Sequence, residues 1–309
     1  MKTGKSCKME KNGNNRDQAA KLVNITVPKA VFKEVENNFR YFYPEAEFTI
    51  VRSVFYDFED LFEGRYPGYQ KCNTPYHDMT HTVDTALLFS RIADGYNVGK
   101  KPLSSHIMRI GIIAVLFHDS GYIQKMTDTA GTGAKHTLVH EKKSVEFIRG
   151  YFKKIGLTRG DFNMARNMIR CTDLKITVSE IDFGSDEEMI TGFIVGTADL
   201  VSQMSERAYL ERLSLLYREF KEGNIQAYES EHDLLKKTVD FYKHIVRDRL
   251  DKDFQKLYKY AQVHFKERYH IDSNLYMDAI RRQFEYLSNM KDYSIDELKS
   301  RLRRKATNE

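Results

Sequence analysis

The chain of 309 residues contains no tryptophan and few residues that interrupt a helix, with 5 prolines and 17 glycines. So little proline and glycine favours long helices over a β-sandwich, in which turns recur every few residues. The three cysteines, Cys7, Cys72 and Cys171, are widely spaced and include no CxxC pair. This spacing argues against a disulfide framework or a zinc knuckle, so we expect a reduced, cytoplasmic protein.

Long apolar runs are also missing. No segment reaches the roughly 20 apolar residues that cross a membrane, and the first residues lack the apolar core of a signal peptide. We therefore expect no membrane partner. Hydrophobic residues make up 41% of the chain and charged residues 30%, a balance typical of globular proteins with ample material for a core.

The positive charge is modest, at +5, and the two ends of the chain are basic and polar. Residues 1–24 are charged, rich in Asn and Lys and without periodicity, so we interpret them as a disordered basic tail. Residues 301–309 form a second basic tail. Neither end carries an RNA-binding signature, so no nucleic-acid partner is expected. Between them, residues 25–300 are predicted to form one domain, with a catalytic core at about 70–265.

Apolar residues recur at helical spacing almost everywhere from Pro28 onward. No segment of any length alternates with the period of a strand, so the fold class is predicted to be all-α, a helical bundle. One helix is expected to open at Thr74-Pro75, where threonine can cap and proline can take the first helical position. The predicted helices cover residues 31–42, 48–62, 76–92, 104–118, 137–155, 159–172, 186–202, 206–220, 225–269 and 274–289.

The first polar motif lies in residues 76–84, YHDMTHTVD. In a helix, spacings of four and three place His77, His81 and Asp84 on one face. Two imidazoles stacked in this way could bind a metal, transfer a proton or only face solvent. The motif alone leaves these three explanations open.

Two further motifs place charge in apolar surroundings. His118 and Asp119 follow an apolar helix and directly precede Ser120-Gly121. Asp199 interrupts another apolar segment, where it could also form a salt bridge or cap a helix. Burying such groups costs free energy unless something compensates them. Imidazole and carboxylate together form a suitable shell for a divalent cation.

The order of these motifs, H…HD…D, resembles the HD-domain superfamily of metal-dependent phosphohydrolases. Within it, the chain is most similar to the class I cyclic-nucleotide phosphodiesterases, whose first motif is YHNxxHxxD. Residues 76–84 match that motif except at Asp78, and residues 198–202, ADLVS, resemble the late motif ADLS. Thr172-Asp173 resembles a pair between them. The resemblance covers about residues 70–265 and implies an HD-domain or phosphodiesterase-like helical fold.

The resemblance implies a tightly held metal, such as zinc, iron or manganese, whose ligands are His81, His118, Asp119 and Asp199. Asp119 would bridge to a second ion, magnesium or manganese, and the hydroxide between the metals would attack phosphorus. The general acid would be His77. We expect Asp84 to hold His77 in its charged form, because a neighbouring carboxylate favours imidazolium.

The chain departs from the phosphodiesterase pattern after His118-Asp119, where Ser120-Gly121-Tyr122 replaces a further Asp and His. His140, in HEKKS, resembles the third histidine of di-metal HD enzymes, with Glu141 beside it. Both residues could equally be polar groups at a helix start. Gln262 and Phe265 resemble the glutamine motif that grips the purine base. The alternative is that Gln262 is a polar residue of the surface.

The resemblance implies an enzyme, most similar to a 3′,5′-cyclic nucleotide phosphodiesterase, acting on a small nucleotide. An HD-type nucleotidase or phosphomonoesterase is the second hypothesis, because it shares the same metal ligands. The third is an inactive HD domain that binds a nucleotide. The sequence leaves the oligomeric state open, and a homodimer is one of the states it allows.

Overall fold

This computed structural model describes residues 22–289 and Glu297. The regular secondary structure of these residues is helical. These residues include no β-strand, only an isolated bridge between Tyr69 and Lys125, so the prediction of an all-α fold is confirmed. The predicted tails lie outside the described residues, apart from residues 22–24. The helices are α1 (Pro28–Phe42), α2 (Thr49–Phe62), α3 (Met79–Gly99), α4 (Ser105–Phe117), α5 (His140–Lys154), α6 (Arg159–Arg170), α7 (Asp186–Ser205), α8 (Tyr209–Glu222), α9 (Glu231–Phe241), α10 (Tyr260–Tyr269) and α11 (Leu275–Ser288).

Helix α3 begins later than predicted, at Met79 instead of near Thr74-Pro75. The Asp78 side chain caps the helix by accepting a hydrogen bond from the His81 amide at 2.9 Å. Thr74 does not cap this helix, because its hydroxyl donates to the His77 carbonyl at 2.7 Å. His77 therefore precedes the helix, and the two histidines are not stacked on one helical face.

The prediction that residues 225–269 are helical is confirmed from Glu231 onward, but the helix is interrupted several times there. After α9 come two π-helical segments, Tyr242–Val246 and Arg249–Asp253. Gln255 and Lys256 then adopt left-handed backbone angles, with φ of 51° and 61°, before a 3-10 turn leads into α10. Apolar spacing does not distinguish these hydrogen-bonding registers, so the interruptions have no simple sequence signal.

Helix α3 lies at the centre of the core and packs against α1, α4, α7 and α10. Helix α4 is apolar on nearly every side, from Ile107 to Phe117, and is buried throughout that stretch except at Arg109. One hydrophobic cluster extends from Val23 to Leu287. Buried helices of this kind hold polar side chains at their ends in fixed positions. No helix of the described residues is both long and apolar enough to cross a membrane.

Gly121 allows α5 to approach the end of α4. Its amide donates to the Ser144 hydroxyl at 2.8 Å, and a β-carbon at this position would collide with the carbonyl oxygen of His140. We expect Gly121→Ala to lower the free energy of unfolding by about 1–3 kcal/mol through overpacking. Urea unfolding of the purified protein measures this change.

Gly150, in the middle of α5, is the matched control. A β-carbon there would meet nothing within 4 Å. Gly150→Ala should raise the free energy of unfolding by about 0.5–1 kcal/mol, because alanine loses less backbone entropy in a helix. Equal effects of the two substitutions would contradict the close contact assigned to Gly121.

Candidate metal centre

The structure brings together the four side chains that the sequence predicts as metal ligands. The Nε2 atom of His81 lies 3.2 Å from Asp199 Oδ1 and 3.4 Å from Asp119 Oδ2. The Nε2 atom of His118 lies 3.3 Å from Asp119 Oδ2 and 3.4 Å from Asp199 Oδ1. The four side chains thus direct two nitrogens and two oxygens at one point.

Three helices position this cluster. His81 lies in the first turn of α3, His118 and Asp119 follow the last residue of α4, and Asp199 lies within α7. The Nδ1 atom of His118 is 2.7 Å from the carbonyl oxygen of Val115, to which it donates. This hydrogen bond directs the other ring nitrogen, Nε2, into the cluster, as in metal-binding histidines.

The cluster fits a divalent cation. His81 Nε2, His118 Nε2 and Asp119 Oδ2 are buried and have no hydrogen-bond partner among the described residues. Leaving such atoms unpaired is costly. His81, His118 and Asp119 each offer a ligand atom, all within 4.8 Å of one another. Bonds of roughly 2.0–2.2 Å to one ion would separate neighbouring ligand atoms by roughly 3.0–3.6 Å, in agreement with the spacings between the histidine nitrogens and the carboxylate oxygens.

The charges of the cluster also favour a cation. Burial alone would raise the pKa of the Asp119 carboxyl, but His118 and His77 hold that pKa well below its usual range. Burial likewise opposes a high pKa for His118, yet Asp119 and Asp199 raise it well above the ordinary value. A proton therefore competes with a metal for His118 Nε2, and metal affinity should fall as the pH is lowered.

His77 lies beside the cluster and is held by Glu219, a residue of α8. The Nδ1 atom of His77 is 2.6 Å from Glu219 Oε2, while Glu219 Oε1 accepts from the amides of Tyr76 at 2.6 Å and His77 at 3.2 Å. Burial alone would lower the pKa of His77, but Glu219 raises it to about 9. His77 is therefore protonated at neutral pH.

The prediction that Asp84 orients His77 does not agree with the structure. Asp84 is buried within α3, where burial and the nearby Glu206 raise the pKa of its carboxyl to about 7. Glu219 has the expected role instead. Sequence reasoning missed Glu219 because it is 142 residues from His77, at the end of a helix rich in charged residues, and no local pattern connects the two.

His140 and Glu141 lie at the edge of the cluster. His140 is the first residue of α5, and its Nδ1 is 2.8 Å from the Thr137 carbonyl oxygen. Its Nε2 is 3.6 Å from Asp119 Oδ1, the oxygen that faces away from His81 and His118. Glu141 Oε2 is 3.4 Å from His140 Nδ1, and burial raises the pKa of Glu141.

Tyr122 fills the space where the chain departs from the phosphodiesterase motif. Its buried ring stacks on that of His77, with centroids 4.6 Å apart, and on that of His140, at 4.4 Å. Tyr122 thus packs the proton-bearing histidine against the histidine that faces Asp119. A small residue here would leave both imidazoles without that support.

Gln262 and Phe265 do not reach the cluster, contrary to the prediction that they bind a base. Gln262 is exposed and donates to Asp272 at 3.0 Å. Phe265 is buried beneath the guanidinium of Arg91, 5.3 Å from its ring centroid. Arg91 lies about 15 Å along α3 from His81, at 1.5 Å per residue. Gln262 therefore lies on the surface of α10, whereas Phe265 packs α10 against α3.

Comparison with known proteins identifies a family. No curated protein matches the chain. A family model described as Npun_R2479-like matches residues 67–282, more than half of the sequence. The matched segment contains the four cluster residues together with His77 and Glu219. The chain belongs to the Npun_R2479-like family.

Proposed function

We propose that the chain is a metal-dependent phosphohydrolase, most similar in action to a 3′,5′-cyclic nucleotide phosphodiesterase. The family match names no reaction, so the proposal depends on the motifs and on the geometry of the site. One observation carries it: a buried cluster with unpaired ligand atoms lies directly beside a histidine that a buried carboxylate keeps protonated. This combination agrees with the resemblance to HD-domain phosphohydrolases.

His81, His118, Asp119 and Asp199 would hold the tight divalent cation. When bound there, the ion would act as a Lewis acid and would lower the pKa of a coordinated water. Asp119 directs its second oxygen towards His140, so this pair would contribute to a second site for magnesium or manganese. Glu141 would help to keep His140 in place.

His77 would donate the proton to the departing oxygen of the substrate. Because Nδ1 is engaged with Glu219, the proton available for transfer is the one on Nε2. Glu219 compensates the charge of the imidazolium before the transfer. Afterwards the neutral ring still donates from Nδ1 to the same carboxylate, so the ring keeps its orientation throughout.

A general acid at the position of His77 favours a phosphodiester substrate whose leaving group is an alkoxide. A ribose oxygen is a poor leaving group unless it is protonated as its bond to phosphorus breaks. A nucleotidase or phosphomonoesterase remains the second candidate, because it would use the same cluster. A cytoplasmic location suits either substrate and agrees with the free thiols of Cys72 and Cys171.

An activity panel tests the proposal. The purified chain would be assayed with cyclic mononucleotides, cyclic dinucleotides and nucleoside monophosphates, with added manganese or magnesium. We expect hydrolysis of a cyclic mononucleotide. Turnover confined to monophosphates would favour the second candidate, and no turnover of any of these substrates would contradict the assignment as a phosphohydrolase.

The basic limb of the pH–rate profile should depend on Glu219. Glu219 raises the pKa of His77 above its ordinary value, and a cation bound by Asp119 and Asp199 would leave this effect in place. The wild-type rate should therefore fall as the pH rises through that raised pKa. In Glu219→Gln, the neutral amide no longer stabilises the imidazolium, so the fall should begin at a lower pH. Measuring kcat across the pH range tests this shift.

The matched control is Glu222→Gln, one turn further along α8. Glu222 is exposed and binds the Thr132 hydroxyl at 2.6 Å instead of His77. This variant should retain the basic limb of the wild type. Identical profiles for wild type and Glu219→Gln would contradict the assigned role of Glu219.

A further inference from the structure

Positive charge is concentrated in α5, α6 and the short segment that follows them. Residues 140–175 contain nine Lys and Arg and four Asp and Glu, a net charge of +5. The other described segments, residues 22–139 and 176–289, contain 28 basic and 34 acidic residues, a net charge of −6. Lys142, Arg149 and Lys153 follow one another at seven and four residues in α5, so they share one side of that helix, and α6 packs beside it.

The cations of this side are available to a partner. Six of them are exposed, and we call these six the basic face. In residues 22–289, only Lys175 of this set forms an ion pair with a carboxylate, at 3.9 Å from Glu141. Two of the four acids, Glu141 and Asp161, are buried and contribute little to the surface. The basic face consists of Lys142, Arg149, Lys153, Lys154, Arg159 and Lys175.

Exposed aliphatic side chains flank one end of the basic face. Leu138 is 51% exposed, Val139 45% and Leu174 39%. The two loops that carry them are adjacent, because the Lys175 ammonium donates to the Leu138 carbonyl at 2.8 Å. Exposed aliphatic residues beside a basic surface are typical of proteins that bind an anionic membrane at its interface.

The aromatic side chains near the face argue against single-stranded nucleic acid. Such recognition needs free rings on which bases can stack. Arg149 lies over the ring of Phe162 at 5.3 Å, and Lys154 lies over the ring of Tyr66 at 4.6 Å. Both rings are therefore covered by the cations themselves, and the aliphatic end provides no stacking surface.

We propose that the basic face binds an anionic phospholipid surface, with Leu138, Val139 and Leu174 entering the headgroup region. This proposal departs from the expectation of no membrane partner, which was drawn from the missing spanning segments and signal peptide; a peripheral contact needs neither. Since His140 begins α5 and faces Asp119, this contact would bring the candidate site close to the lipid surface. The proposal does not depend on the proposed catalytic activity.

Vesicle co-sedimentation of the full chain tests the proposal. We expect binding to vesicles of phosphatidylcholine with phosphatidylserine, none to phosphatidylcholine alone, and weaker binding at high salt. The triple variant Lys142→Glu, Arg149→Glu, Lys153→Glu should bind about 100-fold more weakly. Its matched control, Lys100→Glu, Lys101→Glu, Lys236→Glu, changes the net charge equally at exposed sites elsewhere and should bind as the wild type does.

A second variant tests the aliphatic end without changing the charge. Leu138→Ser with Leu174→Ser should also weaken binding to the anionic vesicles, and circular dichroism checks that each variant is folded. The proposal would be overturned by wild type that does not bind these vesicles, by equal weakening in both triple variants, or by an unaffected Lys142/Arg149/Lys153 variant. Binding of an RNA or DNA duplex through these three residues, with no vesicle binding, would assign the face to nucleic acid instead.

Discussion

Asp119→Ala is expected to lose both the bound metal and the catalytic activity. Asp119 is the one residue that faces His81 and His118 with one oxygen and His140 with the other. Its removal therefore takes a ligand from both proposed sites and leaves the two buried imidazoles with Asp199 as their one remaining carboxylate in the cluster. We expect kcat to fall by about 10³-fold or more, since electrostatic stabilisation of the reaction is lost.

Elemental analysis of the purified variant, together with kcat, measures both effects. Gln262→Ala is the control: the sequence motif predicts that Gln262 binds the base, but the structure places it on the surface beside Asp272. This variant should keep its metal and its activity. Full metal content in Asp119→Ala would show that the cluster is not the metal site.

His77→Ala should separate catalysis from metal binding. His77 lies outside the four-residue cluster and is held by Glu219, so we expect the metal content to remain that of the wild type. The rate on a cyclic nucleotide should fall by about 10²–10⁴-fold, the usual contribution of a general acid. Elemental analysis and kcat again provide the two measurements.

A substrate with a nitrophenolate leaving group sharpens this test. Nitrophenolate departs without a proton, so its release should be much less sensitive to His77→Ala. His106→Ala, which alters an exposed histidine paired with Asp161 at 2.8 Å, should affect neither substrate. Loss of metal from His77→Ala, or equal losses on both substrates, would contradict the role of His77 as proton donor.

The candidate cluster could be predicted from sequence because three of its residues stand out locally and the order of its motifs resembles a known family. His118-Asp119 and Asp199 are charged groups in apolar helices, and burial of such groups requires compensation. Glu219 had no comparable signal. Its burial depends on how α8 packs beside residues 76–77, and this long-range contact cannot be read from spacing along the chain.

The prediction that His77 lies on the same helical face as His81 was wrong for a different reason. Spacings of three and four predict a shared helical face only where the helix has already begun. Asp78 caps α3 after His77, so the chain bends and directs the His77 ring towards Glu219. The same limitation applies to residues 225–269, where apolar spacing predicted helix but not the π-helical segments or the left-handed residues.

We propose above that His81, His118, Asp119 and Asp199 hold a divalent metal that hydrolysis requires. The most direct test follows the hydrolysis of a cyclic nucleotide while a chelator removes metal from the purified wild-type protein. We expect that the protein retains a tightly bound divalent ion, that activity falls in parallel with its removal, and that added metal restores it. Full activity in a metal-free protein would contradict the assignment of these four residues as ligands of a metal that hydrolysis requires.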